Sequence, residues 1–197
     1  MTPTQVSIFL TRSTGRIGQI IARGSAPMFC GKDKRIHVAT HGGLKIDFRD
    51  SRKSMAAEGH CDSDWSVTPW QHILDKHHSA ENRRLWVYPL ELPPEALVEI
   101  WARCERQVGL WDYDTKQLLR IYFWRLTKRK IGVKKTQAID CTEAVSRILR
   151  PYLDLREVAG VKKHDTVTPY NLQKGLDEKG YPCEEIPFDP LNNIGQA

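Results

Sequence analysis

The sequence predicts an α+β fold in which an antiparallel sheet packs against helices. Three observations carry this. Short β-branched and aromatic runs at 6–11, 35–40, 44–49 and 84–90 read as strands. Apolar residues recur at helical spacing in 94–108, 115–126 and 141–149. A glycine-containing interruption at 41–43 joins two of the strand-like runs into a predicted hairpin. With 197 residues and 40% hydrophobic content, the chain can bury one substantial core. A single domain is expected over 1–181, followed by an irregular, Pro- and Asn-rich tail at 182–197.

The first strand runs from Val6 to Thr11 and ends at Arg12-Ser13-Thr14-Gly15. Residues 24–34 read as loop. In the predicted hairpin, a three-residue turn at His41-Gly42-Gly43 sets Ile36 against Phe48, Val38 against Ile46 and Thr40 against Leu44 on an apolar side. His37 then faces Asp47 on the polar side. Residues 50–64 are polar and weakly periodic, and read as a surface loop. Trp65-Ser66-Val67 suggests a short strand, and Thr68-Pro69 a cap and first helical residue for a helix to about Lys76. After the 84–90 strand, Pro93-Pro94 opens a helix to about Val108, carrying Ala96, Leu97, Ile100, Trp101 and Cys104 on one face. A turn at 109–114 leads to the 115–126 helix.

Cys141, Val145, Ile148 and Leu149 fall at i, i+4, i+7 and i+8, which places them on one helix face. Asp140 followed by Glu143 has the form of a capping box, so Cys141 is predicted on the first turn, where the helix dipole favours an anion. Pro151 ends this helix. The segment to Val167 is largely polar, and Thr168-Pro169 begins a last helix to about Lys179.

Composition narrows the function classes. The excess of 30 Lys+Arg over 24 Asp+Glu gives a net charge of +6, compatible with an acidic ligand but short of a dedicated nucleic-acid binder. A basic run, Arg125 with Lys128, Arg129, Lys130, Lys134 and Lys135, lies beside Trp124, without any nucleic-acid module motif. Five cysteines, odd in number and without a C-x-x-C pair, argue for a reduced protein rather than a disulfide framework. His60-Cys61 with His77-His78 fits no usual zinc spacing, so no metal site and no cofactor are expected. The N-terminal residues lack the basic region of a signal peptide, and no stretch reaches membrane-spanning length, so a cytoplasmic location is expected.

A cysteine at a helix start, a strand histidine and a carboxylate opposite it are the parts of a Cys-His-Asp nucleophilic site. The imidazole takes the thiol proton, and the carboxylate fixes the ring's tautomer and stabilises the imidazolium. The candidates are Cys141 as nucleophile, His37 as general base and Asp47 as the orienting residue. Asp140 can be a cap or meet a substrate amine, and the cap is favoured. Tyr113 can donate to an oxyanion, line the cleft, or be a core aromatic.

The order of these motifs resembles a circularly permuted papain-like hydrolase of the NlpC-related, YiiX/YebB-like group. In ordinary NlpC-type enzymes a Phe-Asp-Cys-Ser-Gly-Leu-Val-like helix start precedes a His-Val-Gly strand. Here His37-Val38-Ala39 precedes Asp140-Cys141-Thr142-Glu143-Ala144-Val145. The similarity also takes in Val67-Thr68-Pro69, Tyr113-Asp114 and Thr168-Pro169, spanning roughly Val6 to Gly180. The resemblance implies a papain-like fold, Cys141, His37 and Asp47 in the roles above, and a cysteine hydrolase of amidase or peptidase type working through a thioester. The substrate would be a peptide, an amide or an acyl lipid. Alternatives are an acyltransferase or lipid deacylase on the same site, as in relatives resembling lecithin:retinol acyltransferase, or a catalytically inactive basic binding protein using residues 125–135.

Overall fold

A computed structural model describes residues 2–12, 38–49, 51–60, 63–79, 83–110, 112–113, 138–164 and 167–189. The chain is α+β. Its six-stranded antiparallel sheet is built from β1 (Pro3–Arg12), β2 (His41–Phe48), β3 (Ser51–His60), β4 (Ser63–Pro69), β5 (Arg84–Pro89) and β8 (Glu184–Ile186), in the order β4-β3-β2-β1-β5-β8. Two short parallel strands, β6 (Asp112–Tyr113) and β7 (Ala138–Ile139), form a separate pair. The described helices are α1 (Trp70–His78), α2 (Pro94–Gln107), α3 (Cys141–Leu149), α4 (Leu155–Val158) and α5 (Pro169–Glu178).

Alternation along the strands gives the sheet two apolar faces. Val6, Ile8 and Leu10 of β1, Leu44, Ile46 and Phe48 of β2, and Trp86 and Tyr88 of β5 join Ile100 and Cys104 of α2, Val145, Ile148 and Leu149 of α3, and Leu172 and Leu176 of α5. On the other face Phe9, Ala56, Leu85 and Val87 meet Trp70 and Ile73 of α1, with Phe9 and Trp70 edge to face at 5.3 Å between centroids. Polar ties fix the helices to the sheet: Trp65 Nε1 donates to the Cys104 carbonyl at 3.1 Å, and the Tyr88 hydroxyl to Asp177 Oδ1 at 2.9 Å.

The predicted hairpin is not formed. His41, Gly42 and Gly43 lie inside β2, and β2 is flanked by β1 and β3. Leu44 faces Ile8 and Ala57, Ile46 faces Val6 and Met55, and Asp47 faces Gln5. The apolar side was correctly predicted at Leu44, Ile46 and Phe48, but alternation selects a face and not a partner strand. The two glycines have a packing role instead of a turn role. A Cβ on Gly43 would stand 2.6 Å from the Ala57 carbonyl oxygen and from the Phe9 ring.

Four further expectations are corrected. The 50–64 loop contains β3, whose Ala56 and Ala57 are fully buried. The N-cap of α1 is Pro69, one residue later than the expected Thr68, whose hydroxyl has no hydrogen-bond partner among the described residues. Within the tail expected to be irregular, Glu184–Ile186 pairs with β5, and within the polar stretch after Pro151, Leu155 and Val158 of α4 are buried. The predicted 115–126 helix and the basic residues 125–135 lie outside the described residues.

Candidate active site around Cys141

Cys141 is the first residue of α3 and is 2% exposed. The local sequence dictates this start. Asp140 is the N-cap, its Oδ1 accepting from the Glu143 N–H at 2.7 Å, and the Asp140 carbonyl accepts from the Ala144 N–H at 3.0 Å. The first of these satisfies an amide that a helix start leaves without a partner, and the second is the first bond of the helix ladder. Asp140 is itself only 3% exposed, consistent with the cap reading of its carboxylate. Two more bonds brace the helix against the segment before α5: the Thr142 hydroxyl donates to the Val167 carbonyl at 2.6 Å, and Ser146 Oγ pairs with His164 Nδ1 at 2.6 Å.

The described histidine at Cys141 is His41, the first residue of β2. Its ring lies close to the cysteine side chain, which acts on its pKa through charge and hydrogen bonding, and its Nε2 lies 2.7 Å from Glu58 Oε2. Glu58 reaches it from β3, at the position paired with Gly43. The Glu58 side chain is 2% exposed and that of His41 19%. A carboxylate so buried requires a charged or donating partner, and His41 is one. With Glu58 on Nε2, Nδ1 is the ring nitrogen left for the sulfur. Burial alone would lower the pKa of the imidazole, but Cys141 and Glu58, through charge and hydrogen bonding, outweigh it and push it up to about 10.

Gly42 makes the approach possible. A Cβ there would lie 2.7 Å from Leu10 Cδ2, 3.2 Å from the Phe9 carbonyl oxygen and 3.4 Å from Thr142 Cγ2. Residue 42 is thus wedged between β1 and the residue following Cys141, and the bare glycine lets the helix start close on the strand that carries His41. The segment leading into His41 is pinned as well: the Ala39 N–H donates to Gln173 Oε1 of α5 at 2.8 Å, and the Thr40 N–H to the Thr11 carbonyl at 2.8 Å.

The predicted residues fare differently. Cys141 is where the sequence puts it. His37 lies outside the described residues. Asp47 is corrected: its carboxylate is held by Lys45 Nζ at 2.8 Å and by the Ser54 hydroxyl, and it stands six positions along β2 from His41, about 20 Å. The strands beside β2 are β1 and β3, so the reason for pairing Asp47 with a histidine goes too. Tyr113 belongs to β6 and pairs in register with Ile139, two residues before the cysteine. His41 and Glu58 were missed. The available signals were a histidine beside Gly-Gly, and an acid within the small-residue run Ala56-Ala57-Glu58-Gly59.

No protein-family model matches the chain, and no curated protein matches it. Among solved structures it is similar to the crystal structure of the metalloprotein YiiX, DUF1105, from Escherichia coli O157:H7, at 16% sequence identity and a TM-score of 0.50. The match covers 99% of this chain and 93% of that one. Among the described residues no group of three or more His, Cys, Asp or Glu side chains is arranged to hold a metal ion, and no helix is long and apolar enough to cross a membrane. The likeness shows the fold alone: an α+β, papain-like arrangement of helices on an antiparallel sheet, shared with YiiX along nearly the whole chain.

Proposed function

We propose that this protein is a cysteine hydrolase acting on an amide or related acyl bond, with Cys141 as nucleophile, His41 as general base and acid, and Glu58 as the residue that orients His41. The observation that carries the reading is the continuous contact from Cys141 through His41 to the buried Glu58. In that arrangement the Glu58 carboxylate accepts from Nε2–H, and with the His41 pKa pushed up to about 10, Nδ1 holds the proton taken from the thiol. The thiolate sulfur adds to the acyl carbon, and the imidazolium gives its proton to the leaving amine as the thioester forms. Water then attacks the thioester, with His41 as base, and frees Cys141. The backbone N–H of Cys141, at the open end of α3, is a donor available to the oxyanion.

The chain order, with the histidine strand before the cysteine helix, supports the finer assignment to a circularly permuted NlpC-related arrangement. The same three residues serve acyl transfer when an amine or alcohol replaces water. The residues brought together do not form a metal site, and no step is assigned to one. The test is acyl trapping. After incubation with an activated acyl ester and an acid quench, peptide mass spectrometry is expected to find the acyl group on the Cys141 peptide, and to find it lost in Cys141→Ala. Acylation distributed equally over Cys104, Cys141 and Cys183 would overturn the reading.

A further inference from the structure

Arg12 ends β1 at the same end of the sheet as the Cys141 site. Its neighbour Thr11 pairs with His41, and Leu10, two residues back on the same face, touches the position of Gly42 from one side while Thr142 touches it from the other. Two strand residues span about 7 Å, within reach of an arginine side chain. Arg12 therefore projects on the face where α3 begins.

Arg12 is half-buried, its Nη1 is sealed from solvent without a hydrogen bond, and no ion pair to it is found among the described residues. Directly across on β5 stands Arg84, a like charge that cross-strand pairing disfavours. Arg84 has its own carboxylate, Glu185 at 3.4 Å, and Arg12 has none among the described residues. Buried polar atoms are almost always satisfied, and a desolvated cation facing a second cation is a standing demand for an anion. Burial lowers the Arg12 pKa but leaves the group charged.

We propose that Arg12 is the anion-binding residue of the Cys141 site, taking a carboxylate on the acyl substrate beside the scissile bond. The guanidinium fork suits a carboxylate, which it can hold through two parallel N–H donors. The substrate class is thereby narrowed to acyl donors carrying a negative charge close to the reacting carbonyl. This inference rests on Cys141 being the reactive thiol.

The experiment compares two alkylating agents of nearly equal size, anionic iodoacetate and neutral iodoacetamide, on Cys141 of the whole protein, with exposed Cys183 as internal reference. Arg12→Gln is expected to lower the iodoacetate-to-iodoacetamide rate ratio at Cys141 by roughly three- to tenfold and to leave the ratio at Cys183 unchanged. Arg12→Lys, which keeps the charge but loses the fork, is expected to fall between and covers the case in which the glutamine variant does not fold. Normal iodoacetamide reactivity with an unchanged ratio in both variants overturns the role of Arg12 alone. Failure of Cys141 to outpace Cys183 with either reagent overturns the cysteine reading, and this inference with it.

Discussion

His41 Nε2 and Glu58 Oε2 lie 2.7 Å apart, joining the first residue of β2 to a nearly fully buried carboxylate on β3. The pair sits within the sheet, so the imidazole is oriented by two adjacent strands and not by a loop. A base mounted this way keeps its geometry while substrate comes and goes.

Glu58→Gln keeps the size of the side chain and removes its charge. The His41 pKa, pushed up to about 10 by Cys141 and Glu58 against the effect of burial, is expected to fall in the variant, as read from the ring resonances in an NMR titration. The linkage has a definite sign. A folded-state value above the unfolded one means that protonated His41 stabilises the fold fully below about pH 6.5, a contribution lost as pH rises towards 10. Wild-type denaturation midpoints should therefore drop over that range more steeply than those of Glu58→Gln.

Gly42→Ala tests the wedge beneath the cysteine helix. The new methyl meets Leu10, Phe9 and Thr142 within 3.4 Å, and relief requires α3 to move away from β2. A loss of about 1–3 kcal/mol in urea denaturation is expected, together with slower alkylation of Cys141. Gly43→Ala should be the more damaging, because a backbone carbonyl at 2.6 Å cannot swing aside.

Asp140 separates a cap from a substrate contact. Asp140→Asn retains an oxygen acceptor for the Glu143 N–H and should stay within a few tenths of a kcal/mol of wild type. Asp140→Ala loses that bond and the contact from the Thr142 hydroxyl at 3.2 Å, and should lose about 1–2 kcal/mol in the same denaturation assay.

Much of the scaffold is legible in the sequence, because β1, β5, α2, α3 and α5 each carry their own period and end signals. Thr168 shows this well: it was read as a helix start and does accept from the Asn171 N–H, at 3.2 Å. What escapes is pairing at long range. Leu44, Ile46 and Phe48 alternate equally well against a neighbouring strand or against Val6 and Ile8, residues far back in the chain. Gly42-Gly43 reads as a turn until it is known that Phe9, Ala57 and Thr142 crowd the same spot. β3 escapes because Ala56, Ala57 and Glu58 have little strand propensity, and their placement comes from burial between two strands. Without β3 the sequence offers Glu58 no histidine partner, and a turn at His41 moves the predicted base to His37. β8 escapes because Glu184 and Glu185 give it the charged look of an edge strand.

The most direct measurement is the rate of Cys141 alkylation by iodoacetamide as a function of pH, in wild type, His41→Gln and Glu58→Gln, against Cys183 and the buried Cys104, whose thiol burial pushes up to about 12. The arrangement predicts that wild-type Cys141 reacts well ahead of Cys104 and Cys183 near neutral pH, that His41→Gln abolishes the lead, and that Glu58→Gln reduces it and displaces its pH dependence. A Cys141 rate equal to that of Cys183, unchanged by His41→Gln, would contradict it.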